Sequence, residues 1–334
     1  MSDHMPISRF NPSIWVRNRH LQTIWSRLFP RKQLVSLKTW HIPSSDGEQL
    51  NLCIANNLPI ESKGIVVLLH GLEGSAQSDY IQGMFQALIR HQFTPMVLEF
   101  RGCGSAQNLK ERAYHSGETS DLSHVIEVIR AQHPTQSISA IGYSLGGNVL
   151  AKYLGEMGEQ CHLSSAAIVS APLDLAACAA QMNTFSASIY QSHLIDSMQQ
   201  KLIDKLKRVE WQTFTPPSPN DILKLKSFWQ FDNTITAPLH GFDDVHDYYT
   251  QSSAKQFLKA IHKPCLIIHA KDDPFMNEHV IPLKSELSAS IEYSLQDYGG
   301  HVGFIKGSPW RPYYWLEHTV PNWIESQLCD VITS

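Results

Sequence analysis

The chain has 334 residues, of which 43% are hydrophobic, 17% charged and 10% aromatic. That is enough apolar material for a full core and excludes a disordered chain, and at roughly 100–200 residues per domain the length allows one large domain or two small ones. The balance of 27 Lys and Arg against 31 Asp and Glu, net −4, provides no basic field for a polyanion and excludes nucleic acid as the main partner.

No apolar run approaches the ~20 residues needed to cross a bilayer, so stable membrane insertion is not expected. The longest runs are Ile65–Leu69 and the Ala-rich Leu175–Ala180. Residues 1–6 lack the basic-then-apolar pattern of a secretory signal. The six cysteines, Cys53, Cys103, Cys161, Cys178, Cys265 and Cys329, are scattered and form no C-x-x-C pair. They read as thiols in a reducing compartment, so a cytoplasmic protein is expected.

In chain order, the stretch Ile14–Trp25 mixes aromatic and basic residues. A packed N-terminal arm, residues 1–33, accounts for it more simply than contact with a membrane surface. Eight segments then read as strands: Leu34–His41, Leu50–Ala55, Gly64–His70, Thr94–Phe100, Ser137–Tyr143, Ser164–Ser170, Pro264–Ala270 and Ser290–Gln296. The middle ones are near-continuous apolar runs, which suit strands covered on both faces of a parallel sheet. The first two are joined by a short link and should pair antiparallel at one edge. Helical patterns occupy Tyr80–Arg90, Asp121–Gln132, Asn148–Met157 and Tyr313–Leu328. The alternation predicts a doubly wound, mostly parallel α/β sheet. It is interrupted at 174–260, a largely polar region with helical pieces at Ser192–Val209 and Asp221–Phe228 and a proline cluster at 215–219. This region reads as a helical insertion, a lid over the carboxyl edge of a core formed by 34–173 and 261–334.

The strongest chemical signal is Gly142-Tyr-Ser144-Leu-Gly146-Gly147, directly after a strand and opening a helix. A G-x-S-x-G match is weak alone and strong in that setting. The serine must project from a strained corner, where side chains at Gly142 or Gly146 would collide with neighbouring backbone. An inert serine in a glycine-rich turn is the duller alternative, and the strand-to-helix setting argues against it.

A serine hydroxyl needs a base, and the chain order expected here is Ser, acid, His. The strand Pro264–Ala270 runs into Lys271-Asp272-Asp273-Pro274. Neighbouring residues of an extended segment point opposite ways, so one Asp should face the histidine. Asp273, three residues past the strand's terminal alanine, is favoured, with Asp272 left as the alternative. The base candidate is His301, which has glycines at 299, 300 and 303 around it and lies between the last strand and the C-terminal helix. The fourth part is His70-Gly-Leu72-Glu-Gly74, whose turn would present the Leu72 N–H beside that of Leu145 as an oxyanion hole.

Two polar clusters fit structural roles better. Arg101 with Arg112, Tyr114, His115, Glu118 and Asp121 reads as a salt-bridged loop scaffold opening on the same edge. The run His240–Asp247 has no familiar metal-ligand spacing, and Asp243 or Asp244 fits as the cap of a following helix. No cofactor and no metal are called for.

These residues resemble the YheT-like branch of the α/β-hydrolase superfamily, the AB hydrolase-4 family. The resemblance spans nearly the whole chain and rests on Asn18–Thr23, His70–Ser75, Arg101–Cys103, Tyr114–Thr119, Gly142–Asn148, His269–Phe275 and Gly299–Phe304. It implies an α/β-hydrolase fold with a triad of Ser144, one of Asp272 or Asp273, and His301. It also implies esterase activity on small-molecule or lipid-like acyl esters. The expected function is carboxylic ester hydrolysis through an acyl-enzyme. The alternatives are an acyltransferase using the same triad with an alcohol or lipid acceptor, and a non-catalytic binding module that keeps the hydrolase shell.

Overall fold

The computed structural model describes residues 7–31, 35–105 and 107–332, with side chains described to residue 328. The N-terminal hexapeptide, Leu34 and the Cys329 side chain therefore lie outside the described residues.

The eight expected strands form one sheet: β1 (Leu37–Pro43), β2 (Gln49–Ala55), β3 (Ile65–Leu69), β4 (Thr94–Glu99), β5 (Ile138–Tyr143), β6 (Ser165–Val169), β7 (Cys265–Ala270) and β8 (Ile291–Gln296). Their order is β1-β2-β4-β3-β5-β6-β7-β8. The β1–β2 hairpin is antiparallel at the edge, β2 is also antiparallel to β4, and all later pairs are parallel.

Strand periodicity divides β3 between two cores. Ile65, Val67 and Leu69 pack with α3 (Ser120–Gln132) and α4 (Leu145–Met157) through Val125, Ile129, Val149 and Leu150. Val66 and Leu68 face α2 (Asp79–Arg90) and α11 (Leu316–Ile332) through Met84, Phe85, Val320 and Ile324. Both faces are covered, so β3, β5, β6 and β7 are buried throughout and are apolar at nearly every position, the exceptions Ser139, Ser165 and His269 each being hydrogen-bonded.

The chain passes from β3 to β4 on one side of β3, and places β5 on the other. The crevice at the carboxyl ends of β3 and β5 is thus the switch point where open α/β sheets bind ligands. Because Leu69 is in register with Gly142, the loops after these strands lie side by side.

Between β6 and β7 the chain is helical: α5 (Leu175–Met182), α6 (Ser188–Leu206), α7 (Pro219–Ile222), α8 (Phe228–Phe231), α9 (Ala237–Leu239) and α10 (Val245–Ser252). A π-helical turn at Asp232–Thr236 joins α8 to α9. Ile195, Leu202, Ile222, Phe231 and Ile235 form a small core within this segment.

Three elements differ from the sequence reading. The helix expected over Asp221–Phe228 is two short turns. The Ser227 side chain accepts the Gln230 N–H and so caps a new helix rather than prolonging α7. The C-terminal helix begins at Leu316, not Tyr313, because β9 (Ile305–Ser308) and β10 (Arg311–Tyr314) pair as a hairpin. The N-terminal arm contains a helix, α1 (Arg19–Leu28), capped by the Asn18 side chain.

This helix docks through two buried side chains: Trp25 packs with Val16 and Ile305, and Gln22 supplies the polar contacts. Gln22 Nε2 donates to the carbonyls of Val16 and Ile305, and its Oε1 accepts the Ile305 N–H at 2.7 Å. A buried backbone group left without a partner costs about 1–3 kcal/mol. Gln22→Leu, similar in volume, is therefore expected to lower the unfolding free energy by about 2–4 kcal/mol in urea titration.

Candidate active site

Ser144 sits where β5 turns into α4, with φ 50° and ψ −121°. This is a conformation that non-glycine residues occupy only when their surroundings impose it. The surroundings here are backbone. A Cβ on Gly142 would stand 2.5 Å from the Gly146 carbonyl oxygen, and one on Gly146 would stand 2.5 Å from that of His70. The corner is pressed against the end of β3, and only hydrogen fits at either position. Ser144 thereby projects beside the first turn of α4.

The loop after β8 brings His301 to it. Ser144 Oγ lies 2.9 Å from His301 Nε2, and His301 Nδ1 lies 2.8 Å from Asp273 Oδ2. A carboxylate can only accept, so Nδ1 carries the proton and Nε2 is left to accept from the serine hydroxyl. Asp273 is 1% exposed, and its other oxygen accepts the Phe275 N–H. Asp272 points elsewhere: its Oδ1 accepts the N–H of Gly300, and burial raises its pKa. Of the two candidate acids, Asp273 is the one that the structure joins to His301.

Several residues that hold this arrangement were not singled out from the sequence. The His301 N–H donates to Thr23 Oγ1 in α1, and the Val302 N–H donates to Ser170 Oγ after β6. Cβ atoms on Gly300 and Gly303 would stand 2.7 and 2.4 Å from backbone oxygens of α1, at Arg19 and Gln22. The glycines around His301 thus let a helix touch the loop. The Phe275 ring stacks on the imidazole, with centroids 4.1 Å apart. Asn18–Thr23 stood out as a motif, but nothing local to it tells which loop it meets.

The turn after β3 forms the other wall. His70 is fully buried, and burial pushes its pKa down to about 4. Its Nε2 accepts the Phe100 N–H, so the proton sits on Nδ1 and is donated to the Gly71 carbonyl at 2.7 Å. The Gly71 N–H is taken by the Tyr80 hydroxyl, and the Glu73 N–H by the Tyr114 hydroxyl. Between them, the Leu72 N–H has no hydrogen-bond partner among the described residues, and the same holds for the Leu145 N–H. Both residues line the cavity onto which Ser144 and His301 open. Two free donors at such a place can receive a developing oxyanion.

The cavity holds about 600 Å³. On the side of the inserted helices its wall is mainly apolar, with Leu175, Ala179, Met182, Leu194, Met198 and Phe231.

The polar clusters resolve as scaffolding. Arg101, with a fully buried side chain, bonds Asp121 Oδ2 at 2.6 Å and Asp46 Oδ2 at 2.7 Å. These pairs hold the Asp46 carboxyl well below the usual carboxylate range. Asp46, from the β1–β2 turn, is a partner the sequence did not suggest. Asp244 caps α10 by accepting the Asp247 N–H. No cluster of three or more metal-type side chains occurs among the described residues. The five cysteines Cys53, Cys103, Cys161, Cys178 and Cys265 are buried and free.

Comparison with known proteins shows the family. The family model for the alpha/beta hydrolase fold matches residues 64–308. YheT of Escherichia coli (strain K12), whose name marks it as a candidate esterase, is 39% identical over 96% of this chain and 94% of its own. Phospholipase ABHD3 of Bos taurus is 26% identical over 98% of this chain and 81% of its own. Among solved structures, the esterase Pf2001 of Pyrococcus furiosus superposes with a TM-score of 0.57 at 15% identity, covering 97% of this chain and 100% of that one. That last likeness is one of fold alone. The chain belongs to the α/β-hydrolase family. Within it, the chain falls in the YheT-like branch to which its motifs pointed.

The two aspartates give a direct test. Asp273→Asn is expected to lower kcat for a nitrophenyl ester by roughly 10³–10⁴-fold, as loss of the orienting carboxylate does in other triads. Asp272→Asn keeps an acceptor for Gly300 and should turn over near the wild-type rate in the same assay.

Proposed function

We propose that this protein, an enzyme of the carboxylic ester hydrolase class, cleaves its esters through Ser144, His301 and Asp273 by way of an acyl-enzyme. The observation that carries the reading is the unbroken hydrogen-bond chain from the buried Asp273 through His301 to Ser144, opening on an apolar cavity.

Ser144 Oγ attacks the ester carbonyl carbon as His301 Nε2 takes its proton. The carbonyl oxygen becomes an oxyanion between the N–H groups of Leu72 and Leu145, where each good donor is worth about 3–4 kcal/mol of barrier. α4 begins at Leu145, so the positive end of its dipole faces the same oxygen. Asp273 stabilises the imidazolium and keeps its tautomer. As the C–O bond breaks, His301 returns the proton to the departing alcohol, leaving the acyl group on Ser144. Water, deprotonated by His301, then attacks the acyl-enzyme, and as the acyl–oxygen bond breaks His301 returns that proton to Ser144 Oγ, releasing the acid and restoring the starting state. Every proton is accounted for by these side chains.

Residues 174–260 act as a cap whose apolar wall accepts the acyl part of a small-molecule, lipid-like ester. No described helix is long and apolar enough to cross a membrane. Transfer of the acyl group to an alcohol would differ only in what attacks the acyl-enzyme. Hydrolysis predicts free acid as the main product with ethanol added, read by gas chromatography.

Ser144→Ala is expected to abolish hydrolysis of nitrophenyl esters, a loss of roughly 10⁶-fold by analogy with other triads, with the circular dichroism spectrum unchanged. Wild-type protein should label at one serine with a fluorophosphonate, and the variant should not. Retained turnover in Ser144→Ala removes the mechanism.

A further inference from the structure

Glu73 has no part in the reaction as described, yet its setting is unusual. It follows Leu72, one of the two free donors. Its φ is +58°, a left-handed value that glycine adopts without cost and glutamate does not. Its side chain is 8% exposed. A buried carboxylate on a strained residue is tolerated only where its partners over-determine it.

Those partners come from two directions. From the loop after β4, the Tyr114 hydroxyl donates to Glu73 Oε1 at 2.7 Å and accepts the Glu73 N–H at 3.2 Å. The Tyr114 ring is itself fixed by stacking on Phe100, nearly parallel to it. From α6, Lys201 Nζ donates to Oε1 at 3.0 Å, and the Ser197 hydroxyl donates to Oε2. Ser197 and Lys201 are one helical turn apart, so α6 presents both donors on one face. The Glu73 side chain is thus held at both oxygens, and its main-chain N–H is held by the tyrosine that also binds its carboxylate. That closed ring fixes the peptide plane on the far side of Leu72, as the Tyr80 hydroxyl fixes the near side through Gly71.

We propose that Glu73 is a positioning residue for ester cleavage: clamped by Tyr114, Lys201 and Ser197, it holds the turn that aims the Leu72 N–H at the oxyanion and ties that aim to the seating of α6. The inference rests on the reading of Leu72 as an oxyanion donor. It adds that the donor is set by a carboxylate reaching out to the inserted helices. A carboxylate that served only to anchor α6 would affect stability and substrate capture. One that aims the donor must affect the transition state more than the bound substrate.

The test compares Glu73→Ala, Glu73→Gln and Lys201→Met with wild type on p-nitrophenyl butyrate, a trifluoromethyl ketone analogue and the parent methyl ketone. The trifluoromethyl ketone adds to the serine and needs the oxyanion hole, whereas the methyl ketone reports ground-state binding. Glu73→Ala is expected to lower kcat by roughly 10–100-fold, less than outright loss of a donor. KM should stay within about threefold, because uniform binding is untouched. The Ki of the trifluoromethyl ketone should rise by the same factor as kcat/KM falls, with the methyl ketone unchanged. Glu73→Gln keeps an acceptor for Tyr114 and should recover much of kcat, while Lys201→Met should fall between the two. Wild-type kcat in the folded variants, or a loss carried by KM with trifluoromethyl ketone affinity intact, overturns the proposal. If Glu73→Ala does not fold, Glu73→Gln and Lys201→Met carry the same comparison. Fluorophosphonate labelling of wild type and Ser144→Ala runs alongside: absence of labelling in wild type defeats the catalytic reading itself, whatever the Glu73 variants do.

Discussion

The structure depends on one close contact, the β5–α4 corner pressed against the carboxyl end of β3. At Gly142 and Gly146 the neighbouring carbonyl oxygens stand where a methyl group would have to go. Because β3 and β5 are in parallel register at Leu69 and Gly142, the two turns that follow lie against each other. The left-handed φ of Ser144 is a consequence of that proximity. Strain of about 1–3 kcal/mol at one residue is held by a corner whose strands are buried along their whole length. The same contact sets the free N–H of Leu145 near the turn bearing Leu72. Ser144 and the two free N–H groups thus come from one packing event, and a side chain at either glycine would disturb them together.

The histidine arrives by a different route. Its loop is long-range in every sense: His301 is fixed by Thr23 in α1, by Ser170 after β6 through Val302, and by Asp273 after β7. Each comes from a separate element, so the imidazole is placed by the meeting of three segments. Gln22 closes this assembly by satisfying backbone groups of β9 that the hairpin leaves unpaired. The N-terminal helix is therefore part of the wall behind the imidazole, even though the segment lies more than a hundred residues from the serine.

What could be read from the chain and what could not divides along the same line. The central strands were legible because two-sided burial forces a near-continuous apolar signal, the edge strands β1 and β8 by their β-branched and apolar enrichment alone, and Ser144, His301 and the pair Asp272–Asp273 were legible because each follows a strand's end. The local pattern favoured Asp273 by its distance from the strand but still admitted Asp272, since only the tertiary path decides which faces the imidazole. α1 was hidden because its residues mix aromatic and basic side chains, and only Gln22 and Trp25 of it are buried. The end of β10 looked like the start of a helix, because Tyr313 and Tyr314 carry no local sign of their pairing with Lys306 and Ile305. Glu73 could be quoted as part of a glycine-rich turn, but its left-handed φ and its partners in α6 depend on where the insertion lies.

The insertion accordingly does more than cover a cavity. Within the single helix α6, Tyr190 bonds His20 of α1 and packs on Phe275, whose ring lies against His301. Eleven residues on, about 16 Å along the axis at 1.5 Å per residue, Lys201 holds Glu73 beside Leu72. One helix therefore touches the surroundings of both His301 and Leu72. A displacement of α6 cannot loosen one without bearing on the other. On the proposed mechanism, where an error of about 1 Å costs on the order of 10²-fold in rate, such a bar would make the seating of the inserted helices a condition for chemistry as well as for binding.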